Sequence, residues 1–194
     1  KWIRKSAEQG NIFGEQGLAG LYYLGKGVPK DYTEAAKWFR KAAEQGHAPA
    51  QYRLGLMYYL PEGVPEDNAE AAKWYRKAAE QGYLIAQNQL GVIYANGEGV
   101  PKNYTEAAKW YRKAAELGYP EAQYSLGLMY ANGEGVPKDF AVAYMWANLA
   151  SVRGVRHRVK FRDTVKAAMT KEQLAEGQKL AAEWLERKAK EKEE

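Results

Sequence analysis

The stretch "YANGEGVPK" occupies Tyr94–Lys102 and returns letter for letter, 36 residues later, at Tyr130–Lys138. Looser copies, "YLPEGVPE" and "YLGKGVPK", stand one and two steps of the same length before it. A glycine-rich stretch can cradle a phosphate, but a phosphate loop follows a strand and opens directly into a helix. This stretch follows a helical pattern and recurs with every step, so we interpret it as a turn that joins two helices.

The 36-residue step extends through most of the chain. It is kept by five tryptophans, five glycines and four Val-Pro pairs: Trp2, Trp38, Trp74, Trp110, Trp146, Gly10, Gly46, Gly82, Gly118, Gly154, Val28-Pro29, Val64-Pro65, Val100-Pro101 and Val136-Pro137. A fixed period between about 20 and 50 residues indicates a solenoid, in which each repeat buries its apolar face against its neighbours. The sequence therefore predicts an all-α solenoid of helix pairs with the tryptophans in its core.

The first helical pattern of a repeat runs over residues 50–59. Four apolar side chains share one of its faces at the spacing of an α-helix: Ala50, Leu54, Met57 and Tyr58. We expect this face to be buried, which leaves the opposite face of each first helix for another role.

The second helical pattern runs over residues 67–80, with alanines, Trp74 and Tyr75 on one face and charged side chains on the other. Asp67 and Glu70 resemble a capping box, and a left-handed glycine is expected just after the helix. The charged face carries a basic stripe interleaved with glutamates: Lys73, Arg76, Lys77 and their equivalents in other repeats. We interpret it as a solvated face with ion pairs along the helix, and binding of an acidic partner is the alternative.

The composition suits a soluble globular or repeat protein: of 194 residues, 46% are hydrophobic and 27% are charged. No window approaches the roughly 20 apolar residues of a membrane-spanning helix. The absence of cysteine excludes disulfides, thiolate zinc sites and cysteine nucleophiles. The net charge of +5 favours acidic partners only where it is concentrated. The opening residues already have a helical pattern, so we see no signal peptide and interpret Lys1 as a cut or mature end.

Three short patterns recur in register: A-x-x-x-L-G-x-x-Y, G-x-G-V-P and A-A-x-W-[YF]-x-K-A-A-E-x-G. They are carried by "AQYRLGLMYY", "AQNQLGVIYANGEGVP", "AQYSLGLMYANGEGVP" and "EAAKWYRKAAEQG". Together they resemble the Sel-one-like repeats (SLR), a branch of the tetratricopeptide-type helical solenoids. The resemblance covers residues 1–154, as a partial repeat at 1–10 and then about four repeats. The first complete repeat departs from it, with Gly14 in an alanine position and Ala19 in a glycine position.

The resemblance implies a right-handed superhelix of antiparallel helix pairs that serves as a protein–protein interaction scaffold in bacteria. It implies a protein or peptide ligand. Because the residues offer no catalytic or metal-binding motif, we expect no enzymatic activity, no cofactor and no metal. Many proteins of this family are exported, so the resemblance also implies a periplasmic or secreted location. We expect a monomer. If further repeats precede Lys1, they could supply part of the binding surface.

After Gly154 the register fails, and we interpret residues 155–194 as capping helices followed by a charged tail. An apolar face is predicted for the first of these helices at Phe161, Val165, Ala168 and Met169. Thr170 and Gln173 form a capping box for the second, whose buried side is predicted to hold Leu174, Ala181, Trp184 and Leu185. The final "RKAKEKEE" is almost entirely charged and is expected to fray.

The outward side of the first helices is the predicted binding surface, because in tetratricopeptide-like folds this side lines a concave groove. It combines aliphatic side chains in register with tyrosines and amides, which suits recognition of an extended or helical peptide. The predicted groove residues are Tyr52, Arg53, Leu56, Tyr59, Asn88, Gln89, Val92, Asn96, Tyr124, Ser125, Leu128 and Asn132. The alternative is that Leu56, Val92 and Leu128 only pack on adjacent first helices.

The sharpest cluster of charge is a basic patch at the start of the cap: Arg153, Arg156, Arg158, Lys160 and Arg162. It would suit an acidic protein segment, an anionic lipid or a nucleic acid, so an electrostatic adaptor is the alternative function. No aromatic ladder or nucleic-acid motif accompanies it, and we expect no specific nucleic-acid binding.

Catalysis has little support in the sequence. The two histidines, His47 and His157, are far apart in the repeat, and His47 occupies a loop position that holds tyrosine in other repeats. No Ser-His-Asp order, zinc-hydrolase motif or phosphate-binding loop accompanies them. A hydrolase built on the repeat scaffold is therefore a remote alternative.

Overall fold

The computed structural model describes residues 2–193, and every regular element in that part of the chain is an α-helix. The helices are α1 Trp2–Glu8, α2 Ile12–Leu24, α3 Tyr32–Glu44, α4 Ala48–Tyr59, α5 Asn68–Glu80, α6 Leu84–Asn96, α7 Tyr104–Glu116, α8 Pro120–Asn132, α9 Phe140–Ser151, α10 Arg156–Ala167 and α11 Lys171–Lys190. They form two compact units, Lys1–Lys102 (unit 1) and Asn103–Glu194 (unit 2). The predicted all-α class is confirmed, whereas the handedness of the solenoid and the division of the chain after residue 154 stay predictions.

The core of unit 1 combines alanines, which let helices approach, with a few large side chains that fill the remaining gaps. Each helix of this unit packs against the next one along the chain. Ala71, Ala72 and Tyr75 of α5 are buried in one cluster with Ile93 of α6. Trp74, on the same helix, is buried in the preceding cluster instead. Helix α5 therefore contributes buried side chains to two neighbouring clusters. This agrees with the apolar face predicted for residues 67–80.

The periodic tryptophans differ in burial. Trp74, Trp110 and Trp146 are buried and Trp38 is partly buried, whereas Trp2 is 83% exposed. The prediction that the tryptophans form the core is confirmed for the three buried ones. It is wrong for Trp2, because the residue that α1 buries is Ala7.

The Gly-x-Gly-Val-Pro stretch is a turn packed on the preceding repeat, which confirms the interpretation made from the sequence. Gly97 ends α6 in the left-handed conformation, with φ of 79°. A Cβ on Gly99 would lie 2.2 Å from the carbonyl carbon of Asn68, at the start of α5. Val100 packs against the cluster that contains Tyr75. The close contact of this turn with α5 therefore explains why the second glycine, Gly99, is needed. No bound ligand is required to explain it.

The predicted capping box of the second helices is half formed. In α5 the side chain of Asp67 accepts a hydrogen bond from the backbone N–H of Glu70 at 2.9 Å. The Glu70 carboxylate does not return the bond but lies 2.8 Å from Lys73 Nζ, one turn further on. The box predicted for α11 is complete, since Thr170 and Gln173 exchange both bonds.

The departure of the first complete repeat from the pattern has a steric reason at Gly14. A Cβ on Gly14 would lie 2.7 Å from the backbone nitrogen of Ala7, so α1 approaches α2 closely at this point. Ala19, in the position that holds glycine in later repeats, is fully buried. The glycine at position 14 therefore fits the close packing of α1 on α2, whereas nothing in the structure explains the alanine at position 19.

Glu15 is a buried acid at a position that the other repeats fill with glutamine. Its side chain is 3% exposed and accepts a hydrogen bond from Gln45 Nε2 at 2.7 Å. One repeat later, the side-chain amide of Gln51 donates to the carbonyl oxygen of Ala43 at 3.0 Å, and the same bond recurs in the two following repeats. An ionised glutamate cannot donate this bond, and burial raises the pKa of Glu15 above its ordinary value of 4.5.

We expect Glu15→Gln to stabilise the protein by about 1 kcal/mol at neutral pH, the net value of one hydrogen bond. Because the pKa of Glu15 is raised in the folded state, its protonation favours folding below pH 4.5, and that contribution is lost as the pH rises through the raised pKa. Urea unfolding should therefore give a larger difference between variant and wild type near pH 7 than near pH 4. A difference that does not change with pH would contradict this account.

Unit 2 ends in α10 and α11, which both pack against α9. Ala181 is buried, and the ring of Trp184 meets that of Trp146 edge-on, with centroids 6.1 Å apart. The predicted buried side of α11 is confirmed at Ala181 and wrong at Leu185, which is 52% exposed. On α10, Val165 is buried and Phe161 is partly buried. Just after this helix, Met169 is partly buried and Ala168 is exposed.

The charged tail is more ordered than the sequence suggested. Helix α11 continues to Lys190, and the guanidinium of Arg187 lies 2.8 Å from the Glu116 carboxylate. The fraying predicted for the tail is therefore wrong as far as Lys190. Glu194, its last residue, lies outside the described residues.

Candidate partner-binding surfaces

The tyrosines predicted for the groove in unit 1 are held by neighbouring side chains. The ring of Tyr52 lies between those of Tyr75 and Tyr83, with centroids 5.6 and 5.4 Å away. Burial raises the pKa of Tyr52. The hydroxyl of Tyr59 donates to Glu98 Oε2 at 2.8 Å, and this bond raises the pKa of Tyr59. Both side chains therefore attach α4 to the following helix pair.

Seven of the eight predicted residues on α4 and α6 keep accessible surface, and three of them contact neighbouring side chains: Tyr52, Tyr59 and Asn96. The remaining four are Arg53, Leu56, Gln89 and Val92. Arg53 and Gln89 occupy the same position in successive repeats, and so do Leu56 and Val92. Among the described residues, none accepts a hydrogen bond from the side chain of Arg53 or Gln89. We call these four residues the α4–α6 face.

The other predicted residues of unit 1 differ from these four. Asn88 is buried, and the side-chain amide of Asn96 donates to Glu98 Oε1 at 2.8 Å. Leu56 itself also packs against the cluster of Tyr75 and Ile93. This aliphatic side chain therefore takes part in packing, as the alternative interpretation holds, while part of its surface stays accessible.

In unit 2 the first-helix residues meet the cap. The ring of Tyr124, on α8, contacts His157 and Phe161 of α10 edge-on, with centroids 5.3 and 5.2 Å away. Ser125 and Leu128 are partly buried, and Asn132 is exposed. Helix α10 therefore covers the tyrosine that was predicted to contact a ligand in this unit.

The five residues of the predicted basic patch do not share one exposed surface. Arg158 is buried and paired with Glu121. Arg162 lies 2.7 Å from the carboxylate of Asp163. The remaining three are exposed: Arg153, Arg156 and Lys160.

The cations of the basic stripe on the second helices contact aromatic side chains of the fold. On α5, Lys77 Nζ lies 4.0 Å from the centre of the Trp74 ring, and Arg76 donates to the hydroxyl of Tyr94. The Lys-Trp contact recurs on α3 and α7, and the Arg-Tyr contact recurs on α1, α3 and α7. These cations have aromatic partners in their own unit, which supports the interpretation of a solvated face.

His47 has a structural role at the start of α4. His47 caps α4, since its Nδ1 accepts from the backbone N–H of Ala50 at 3.4 Å, and burial lowers the pKa of His47. Within residues 2–193, no group of three or more histidine, aspartate or glutamate side chains is placed to hold a metal ion. None of the described helices combines the length and the apolar character that crossing a membrane requires.

Three exposed apolar side chains of unit 2 were not predicted as a candidate surface: Leu117, Val152 and Leu185. The signal that could have found two of them lies in the repeat itself. Leu117 stands where the preceding repeats have glutamine, and Val152 stands where they have glutamate. A helical wheel drawn for one repeat does not show such departures.

Solved structures that are similar to this chain include two bacterial proteins. The first is c5321, a protective antigen present in uropathogenic Escherichia coli strains and displaying an SLR fold. It is 41% identical, with a TM-score of 0.86, over 95% of this chain and 40% of that one. The second is a Sel1 repeat protein from Oxalobacter formigenes, 37% identical with a TM-score of 0.79, over 90% of this chain and 74% of that one. The chain thus spans less than half the length of c5321. No curated protein matches it.

The Sel1 repeat family model matches residues 1–11, 15–47, 48–83, 84–119 and 120–154. These segments follow the period that the tryptophans and Val-Pro pairs mark in the sequence. They contain α1, α3–α9 and all of α2 except its first three residues. Since the matched segments make up most of the sequence, the chain belongs to the Sel1 repeat family.

Proposed function

We propose that this chain is a scaffold whose α4–α6 face binds an extended peptide segment of a partner protein. Sel1 repeats typically mediate protein–protein interaction and are generally non-enzymatic. Beyond this general role, we assign binding to the α4–α6 face. Binding of a peptide there requires no catalytic group.

One observation carries the proposal: Arg53 and Gln89 share a repeat position, remain accessible, and donate no hydrogen bond to another described residue. Several other polar side chains of unit 1 that recur with the repeat do have partners, such as Gln51 with Ala43 and Tyr59 with Glu98. Donors that are free to bond a ligand, beside accessible aliphatic groups, suit a peptide-binding surface.

The chemistry of the α4–α6 face fits a peptide backbone. The Gln89 carboxamide can both donate to a carbonyl and accept from an N–H, and the Arg53 guanidinium can pair with a carboxylate. Leu56 and Val92, in the next exposed position of the same helices, can receive an apolar side chain of the ligand. An extended segment with a small apolar residue and an acidic residue would use all four.

The alternative function, an electrostatic adaptor working through the basic patch, has weaker support. Arg158 is paired with Glu121, and Arg162 with Asp163. Only part of the predicted charge is therefore available to a partner.

The test uses peptides selected on the immobilised protein from a random library displayed on phage. We expect a class of selected peptides whose Kd for Gln89→Ala/Val92→Ala is about tenfold higher than for the wild type, a loss of about 1.4 kcal/mol. Fluorescence anisotropy with labelled synthetic peptides measures it. Tyr52 is left unchanged because its ring is packed between two others.

The matched control is Glu80→Ala, at an exposed position on the charged face of α5. It should leave the Kd of the same peptides unchanged, and all variants should keep the thermal midpoint of the wild type within a few degrees. A selection in which every peptide binds Gln89→Ala/Val92→Ala as tightly as the wild type would refute the proposal.

A further inference from the structure

Three large apolar side chains lie exposed beside one another in unit 2. Leu117 follows α7 and is 60% exposed, Val152 follows α9 and is 78% exposed, and Leu185 on α11 is 52% exposed. Leu185 shares one surface hollow with Leu117 and a second with Val152. Contiguous exposed apolar surface of this kind marks an interaction site more often than single scattered residues do.

The repeat shows that two of these side chains replace polar ones. The position of Leu117 holds Gln45 and Gln81 in the preceding repeats, and the position of Val152 holds Glu44, Glu80 and Glu116. Internal packing does not explain the exchange, because Leu117 and Val152 remain mostly exposed. A ligand that covers them would explain it.

Trp184 and Leu185 form a ridge between the two hollows, which measure about 400 and about 200 Å³. The indole is fixed from two sides, since its Nε1 donates to Glu116 at 3.0 Å and its ring meets Trp146 edge-on. The ridge is thus preformed, which lowers the entropy cost of binding a ligand.

The charges around the ridge favour an acidic ligand. The two carboxylates that line the hollows already have basic partners: Glu116 lies 2.8 Å from Arg187, and Glu191 lies 2.6 Å from Lys188. Lys192 at the first hollow and Arg153 at the second form no ion pair with another described residue. The apolar ridge therefore has an unpaired cation on each side.

We propose that this surface, the Trp184 ridge with Leu117, Val152 and Leu185, docks an amphipathic acidic segment of a partner protein. Apolar side chains of the segment occupy the hollows on both sides of the ridge, and its carboxylates pair with Arg153 and Lys192. The surface lies in unit 2 and does not depend on the α4–α6 face, so the chain would have two separate docking surfaces.

The test compares two phage-displayed peptide libraries that share a pattern of Leu, Phe and Trp positions and carry either Asp/Glu or Lys/Arg elsewhere. We expect binders from the acidic library alone. Their Kd, measured by fluorescence anisotropy, should rise at least tenfold for Leu117→Gln/Val152→Glu, which restores the residues of the earlier repeats. The charge-neutral Leu117→Gln alone should account for a severalfold rise, and added salt should weaken binding further.

Two control variants test whether the acidic peptides bind at the ridge and nowhere else. Leu24→Gln removes an exposed leucine in unit 1, and Gln89→Ala/Val92→Ala alters the α4–α6 face; both should leave the Kd of these peptides unchanged. Equal recovery from the basic library, or unchanged binding to Leu117→Gln/Val152→Glu, would overturn the proposal. So would a dimer in sedimentation equilibrium that this double variant dissociates, since a second copy would then occupy the ridge.

Discussion

Replacing Gly99 by alanine is expected to destabilise unit 1 by about 3 kcal/mol, because two costs add. The residue has φ of 70°, which disfavours any Cβ by about 1 kcal/mol or more. In addition, the new Cβ would lie 2.2 Å from the backbone carbonyl carbon of Asn68, which cannot rotate away. Relieving that overlap should cost about 1–3 kcal/mol more.

The matched control is Gly82→Ala. Gly82 has φ of 84°, but a Cβ there would meet nothing within 4 Å. We therefore expect only the conformational cost of about 1 kcal/mol. Urea unfolding followed by circular dichroism measures the free energy of unfolding of both variants. An equal decrease for Gly82→Ala and Gly99→Ala would show that the turn is not in close contact with α5.

Truncating Leu90 to alanine is expected to cost about 3 kcal/mol, within the range for a fully buried leucine that leaves a cavity. Leu90 is among the largest side chains of the chain with no exposed surface. Val92, two residues along α6, belongs to the accessible α4–α6 face, and Val92→Ala should cost about 1 kcal/mol or less.

The same unfolding measurements should separate these two substitutions by at least about 2 kcal/mol. Their effects on binding should be reversed: Val92→Ala weakens the selected peptides, whereas Leu90→Ala leaves the Kd of the remaining folded protein close to that of the wild type. Comparable destabilisation by both would show that Val92 belongs to the core.

The architecture could be predicted from the sequence because burial follows the helical period. On α5 the predicted face of alanines, Trp74 and Tyr75 is buried as expected. The left-handed glycines and the N-cap residues could also be predicted from the sequence. Each satisfies a local backbone requirement that does not depend on distant residues.

The surroundings of the candidate site could not be predicted in the same way. A helical wheel gives the direction in which Tyr52 leaves α4, but it does not show that the rings of Tyr75 and Tyr83 arrive from the next helices. Tyr124 is covered by Phe161, which lies in a segment that no longer follows the repeat.

Charge was the least predictable property of the surface. Arg158 lies in a basic stretch of sequence yet is buried, because Glu121, far away along the chain, provides its partner. On α5 the Glu70 carboxylate pairs with Lys73 and not with the backbone of its own helix. Each outcome depends on a contact that the linear sequence does not display.

We infer that residues kept in every repeat build the fold, whereas accessible residues that vary between repeats bind the partner. Methyl-labelled protein titrated with a phage-selected peptide tests it most directly, through the ¹H–¹³C signals of leucine and valine. We expect the Leu56 and Val92 signals to shift while those of the buried Leu54 and Leu90 stay in place. Unchanged Leu56 and Val92 signals at saturating peptide, for every peptide selected, would contradict it.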